Sequence, residues 1–99
     1  TYGAPTVIYV SCKNEDEESI KGCNAGVVME NMLLEAADLG LGAVYLFGVS
    51  QVLFTNEEIT KLLQIPEGFR TVSAIAVGTS ADVLQERALG TDKISTTTL

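Results

Sequence analysis

Between Ile20 and Leu39 the chain changes its period to that of a helix, and this twenty-residue stretch constrains the fold more than any other. Ala25, Val28, Met29, Met32, Leu33, Ala36 and Leu39 recur at three- and four-residue spacing, with Glu30, Glu35 and Asp38 set between them. Such a stripe must be buried against something, and the flanking segments supply it. Thr6–Cys12 is a β-branched and aromatic run behind Pro5, continuous enough to predict a strand buried on both faces. Ala43–Phe47 reads as a second strand between Gly42 and Gly48, and Thr71–Val77 as a third that ends at Gly78. Gly40 is placed to end the long helix as a left-handed cap. Gly22 and Gly26 each cost a helix up to about 1 kcal/mol relative to Ala. Their four-residue spacing predicts a close backbone approach by another helix or subunit, with fraying of the first turn an equal explanation for Gly22.

The connections are readable too. Lys13–Ser19 is polar and acidic, a solvated loop in preference to a cation site. Thr55-Asn56-Glu57-Glu58 has the pattern of a capping box, opening a short helix through Leu63 whose buried side is Ile59, Leu62 and Leu63. Pro66-Glu67-Gly68 is turn chemistry. After Gly78 periodicity is lost, so residues 1–79 form the domain and 80–99 an extended C-terminal arm. Strand, long helix, strand, short helix, strand is the alternation of an α/β arrangement with a largely buried sheet. The chain opens Thr1-Tyr2-Gly3-Ala4-Pro5 with no initiator methionine, so it is taken as processed or cut from something longer.

Composition narrows the chemistry. Six Lys and Arg against thirteen Asp and Glu give a net charge of −7 in 99 residues, which argues against a grip on nucleic acid or on an anionic membrane surface. No apolar stretch is long enough to span a bilayer, and no signal peptide is visible, so the expected location is cytoplasmic. Histidine is absent, which removes the commonest general base and the commonest metal ligand, and no Ser-His-Asp triad can form. Cys12 and Cys23 show no C-x-x-C spacing; they read as two ordinary thiols in a reducing compartment, with no metal site. Gly40-Leu41-Gly42 precedes a strand, the wrong order for a dinucleotide fingerprint. Adjacent Glu57 and Glu58 do not face one another on a helix and make no acid–base pair. No catalytic side chain is assigned.

Five runs in order carry a resemblance. Gly3–Val10, Asn24-Ala25-Gly26 leading to Asn31–Ala37, Leu39–Val44, Leu62–Phe69 and Ala74–Gly78 together resemble the second half of the nitroreductase family of flavin enzymes. The resemblance implies an α+β fold, a three-layer α/β sandwich of which this chain is a partial domain with about three strands, one long helix and one short helix. It implies an intertwined homodimer with FMN at the interface, electrons passing from NAD(P)H to nitroaromatic or quinone-type acceptors. The flavin does the redox chemistry in such enzymes, which suits a chain without histidine. Tyr45, Leu46, Phe47 and Gly48 match the family stretch that passes along the flavin ring, with Gly48 allowing close backbone approach. Many members carry Pro and Glu where this chain has Tyr45 and Phe47. Arg87 falls where the family places a basic pair on the FMN phosphate, its neighbour Gln85 being uncharged. The family's N-terminal Arg-x-Ser phosphate motif has no counterpart here, so the 99 residues alone are expected to be inactive. The other reading is a flavin-free, self-associating structural or interaction module of the same fold, with Met29, Met32 and Leu33 on its buried surface.

Overall fold

The structure is a computed structural model, and it describes residues 2–48, 52, 56–83 and 85–99. Five elements follow one another: β1 (Thr6–Lys13), α1 (Glu18–Asp38), β2 (Gly42–Tyr45), α2 (Glu57–Leu62) and β3 (Phe69–Gly78). The sheet order is β1-β3-β2, and both pairings are antiparallel. β1 and β2 therefore run parallel to each other on either side of the last strand, a βαβ unit split by an inserted strand. This is an α+β fold, and the simple strand–helix alternation is corrected by the pairing through β3.

α1 begins at Glu18 behind Glu17, which makes no side-chain cap, and it ends as the glycine predicts. Gly40 takes φ +71°, its N–H donates to the Ala37 carbonyl and the Leu41 N–H to that of Ala36. These two bonds satisfy carbonyls that the last turn would otherwise strand, the Schellman arrangement. Ala25, Met29 and Ala36 are buried as the stripe requires, and Met32 and Leu33 are half-buried, whereas Val28 and Leu39 are exposed. The helix rests on the sheet by a narrower face than its sequence offers. Among the described residues nothing lies within 4 Å of a Cβ built on Gly22 or Gly26, so none of them makes a close approach there. Gly26→Ala is accordingly expected to raise stability by about 0.5–1 kcal/mol in urea unfolding; a loss instead marks a surface that another copy covers.

β3 is the core strand. Thr71 and Ser73–Ala76 are buried, and Ile75 is 1% exposed. Alternation sends Ser73, Ile75 and Val77 to one face and Ala74 and Ala76 to the other. Lys21, Gly22 and Ala25 of α1 share a pocket with Tyr45 and Ser73, so the helix covers the first face. On the second face Leu46, Ala74 and Ala76 form a cluster with Ala4, Val7 and Tyr9, to which α1 adds nothing. β1 is half-buried along most of its length and not buried on both faces as its composition predicts, because it is an edge strand with one face covered by a helix. The two layers present match the shortest dimension of 20 Å.

The ladder slips once. Val10 pairs with Ser73 but Ser11 with Thr71, so Val72 is an extra residue and β3 bulges there. β2 stops at Tyr45; Leu46 still donates its N–H to the Ala74 carbonyl at 2.8 Å, and the chain is helical by Phe47. The predicted strand through Phe47 is thus two residues too long. α2 is capped by Asn56, whose Oδ1 accepts from the Glu58 and Ile59 amides, both at 3.1 Å. Thr55, expected to cap, lies outside the described residues. Leu62 is 80% exposed and not on a buried side, and Ile59 and Leu63 are half-buried. Both cysteines are free thiols, and among the described residues no group of three or more His, Cys, Asp or Glu could hold a metal ion. Among the same residues no helix is long and apolar enough to cross a membrane. Residues 81–83 and 85–99 are exposed.

Candidate functional site

The segment from Tyr45 to Gly48 leaves the sheet where β2 gives way to helix, and its residues divide sharply. Leu46 is buried in the cluster with Ala74 and Ala76, its amide spent on the Ala74 carbonyl. Tyr45 is 43% and Phe47 60% exposed, two large aromatic side chains left at the surface. Their rings lie 6.1 Å apart between centroids at 44°. Among the described residues nothing stands within 4 Å of a Cβ built on Gly48. The structure therefore brings Tyr45, Phe47 and Gly48 together as an open surface pinned down by Leu46. Arg87 lies exposed on the extended chain after β3 and does not line the pocket beside the two rings.

That pocket, about 310 Å³, opens between the first turns of α1 and the sheet, and holds charges the sequence reading passed over. Lys21 is 2% exposed, with Nζ 2.8 Å from Glu18 Oε1 and donating to the Asn14 carbonyl at 3.2 Å. Arg70 reaches across from β3 and donates to Glu18 Oε2. The bulge makes this possible. Unbroken alternation from Ser73 would put Thr71 on the helix-covered face and Arg70 on the other, and the extra residue Val72 reverses the two. Lys21 had a readable signal, since it extends the Ala25–Met29 row by one turn. Arg70 had none.

The Lys21 hydrogen bond holds the Glu18 carboxyl below the ordinary glutamate range; partial desolvation opposes this, and the charges of Arg70 and Lys21 add to it. A carboxyl depressed in the folded state stabilises above its unfolded pKa, and that contribution is lost as the pH falls through the folded value. Stability is expected to drop on acidification below the ordinary glutamate range, and Glu18→Gln to flatten that part of the profile. Urea midpoints taken across the acid limb would check it, an unchanged profile in the variant counting against the pair.

A sequence profile of the Nitroreductase family matches residues 1–79. Among solved structures, a nitroreductase with bound FMN from Bacteroides fragilis superposes with a TM-score of 0.77 at 23% identity, over 97% of this chain and 52% of that one. A nitroreductase with bound FMN from Desulfitobacterium hafniense gives 0.79 at 22% identity, over 97% and 52%. NfrA2 of B. megaterium gives 0.65 at 25% identity, over 88% and 42%. The chain spans about half the length of these neighbours.

Proposed function

Because this chain belongs to the nitroreductase family, we propose that it is the C-terminal portion of an FMN-dependent oxidoreductase that passes electrons from NAD(P)H to nitroaromatic or quinone-type acceptors. The observation that carries this reading is the family match over residues 1–79, on a fold shared with two FMN-bound nitroreductases. The residues fit the group in part. Tyr45 and Phe47, with Gly48 beside them, offer exposed aromatic surface to a planar ring, and Arg87 offers an exposed cation to a phosphate.

FMN, when bound, supplies the two-electron redox chemistry. The chain's own residues bind and orient. Leu46, buried and hydrogen-bonded to β3, fixes the height of the segment above the sheet. Tyr45 and Phe47 keep water from one side of the ring, and Gly48 lets backbone come close where a side chain would intervene. Arg87 would hold the phosphate through its guanidinium, which is suited to bidentate contact with such a group. The direct test is the visible spectrum of the chain after incubation with FMN and extensive dialysis. A retained flavin spectrum supports the reading, and a colourless sample confines it to a longer protein. Arg87→Ala is expected to weaken FMN binding roughly tenfold or more, as loss of a charge-assisted contact does, read by flavin fluorescence titration; an unchanged Kd removes Arg87 from the site.

One observation favours self-association. The chain exposes 7900 Å², whereas a folded monomer of its mass exposes about 5,400 Å² by the usual scaling. A homodimer, or the flavin-free self-associating module, would cover part of the difference, and sedimentation velocity distinguishes either from a monomer. Two free thiols accord with a cytoplasmic location.

A further inference from the structure

We propose that the pocket between the first turns of α1 and the β2–β3 sheet binds a small aromatic carboxylate, held by Lys21, Arg70 and Ser73 against the ring of Tyr45. The proposal does not rest on flavin binding: its three donors belong to α1 and β3, and of the residues it uses only Tyr45 is shared with the 45–48 segment.

Charge comes first. In a chain of net charge −7, this pocket gathers two cations, Lys21 and Arg70, around one carboxylate, Glu18. The nearby Glu17 is engaged with the Ser19 hydroxyl at 2.7 Å. The lining thus carries more cationic than anionic side chains at a place where Lys21 is almost wholly withdrawn from water, and an anion suits such a lining.

Donors come second. The ammonium of Lys21 has three hydrogens, of which Glu18 and the Asn14 carbonyl take two. Ser73 lines the same pocket at 1% exposure, and among the described residues its Oγ has no hydrogen-bond partner. A buried hydroxyl without a partner costs stability, and natural proteins keep such groups where something else completes them. A carboxylate oxygen accepts from both.

Shape comes third. Tyr45 pairs with Ile75 and so lies on the helix-covered face of the sheet, its ring beside that of Phe47. With Ala25 and Gly22 as the opposite wall, the space of about 310 Å³ admits a single substituted ring with its acid end inward.

The test is a titration of the isotope-labelled 99-residue chain, without FMN, by sodium benzoate and separately by benzamide, followed by amide NMR shifts. Benzoate is expected to move Gly22, Ala25 and Ser73 to saturation with a Kd of about 1 mM or below, and benzamide to bind roughly tenfold or more weakly for want of the charge. Ser73→Ala retains the fold, since its hydroxyl has no partner to lose, and is expected to weaken benzoate roughly three- to tenfold. Arg70→Gln should weaken it as well. Equal binding of the amide, shifts that do not saturate, or an unchanged benzoate Kd in folded Ser73→Ala would each overturn the assignment.

Discussion

Replacement of Ile75 by alanine is expected to lower the unfolding free energy by about 2–5 kcal/mol, the largest loss any single truncation should produce in this chain. Among the described residues Ile75 is the largest fully buried apolar side chain, at the middle of the central strand, with Ile8 opposite on one side and Tyr45 on the other. Truncation leaves a cavity that neither neighbour fills, since both are tied into ladders. Most small domains have about 5–15 kcal/mol in total, so Ile75→Ala should remove a large share of the stability. Ile75→Val, which conserves the branch, should cost only about 0.5–1.5 kcal/mol. Ile8→Ala, on the edge strand and 39% exposed, serves as the control. Urea midpoints for the three variants decide the matter, and equal losses at 8 and 75 would contradict the placement of the core.

Gly78→Ala should come second, at about 1–3 kcal/mol. Gly78 pairs with Gly42 where the ends of β2 and β3 meet the start of the chain. A Cβ on Gly78 would stand 2.8 Å from Cδ of Pro5, and one on Gly42 3.1 Å from Cβ of Ser80. The proline ring is bonded back to its own backbone and cannot swing aside, so strand or chain start must move. A double-mutant cycle gives the sharper readout: in a Pro5→Ala background the same substitution should cost clearly less. Equal costs in both backgrounds would locate the strain elsewhere.

Much of this architecture is written locally. The long helix is legible because its apolar stripe and Gly40 are signals carried by the segment itself, and the family resemblance because five short runs keep their order. What is not written locally is the partner of each strand. Thr6–Cys12 has the composition of an interior strand, yet it sits at an edge, and composition cannot say which strand lies beside it. Asn56 and Thr55 are both good caps, and only the backbone decides between them. The charged pocket was hidden for a similar reason. Glu18 and Lys21 look like an ordinary exposed pair one turn apart until the sheet closes over the lysine. Arg70 reaches them only because one extra residue turns it over. The flavin segment divides likewise: its sequence is uniformly apolar, and the structure alone separates buried Leu46 from exposed Tyr45 and Phe47.

The position of β3 has a consequence for how the protein comes into being. It is the last strand in sequence and the middle one in space, and every sheet hydrogen bond of β1 and β2 is made to it. Among the described residues no hairpin joins neighbouring elements from which pairing could spread, and Thr6 waits for Val77 before its ladder closes. Loops of that length are entropically costly to close before contacts reward them, so folding belongs to the slow, non-local regime. On the ribosome, the first two strands and the long helix emerge with their sheet edges unpaired until Phe69–Gly78 has cleared the tunnel. For that interval these residues have a helix and no sheet pairing of their own, and it is then that a chaperone or a second copy finds them most open.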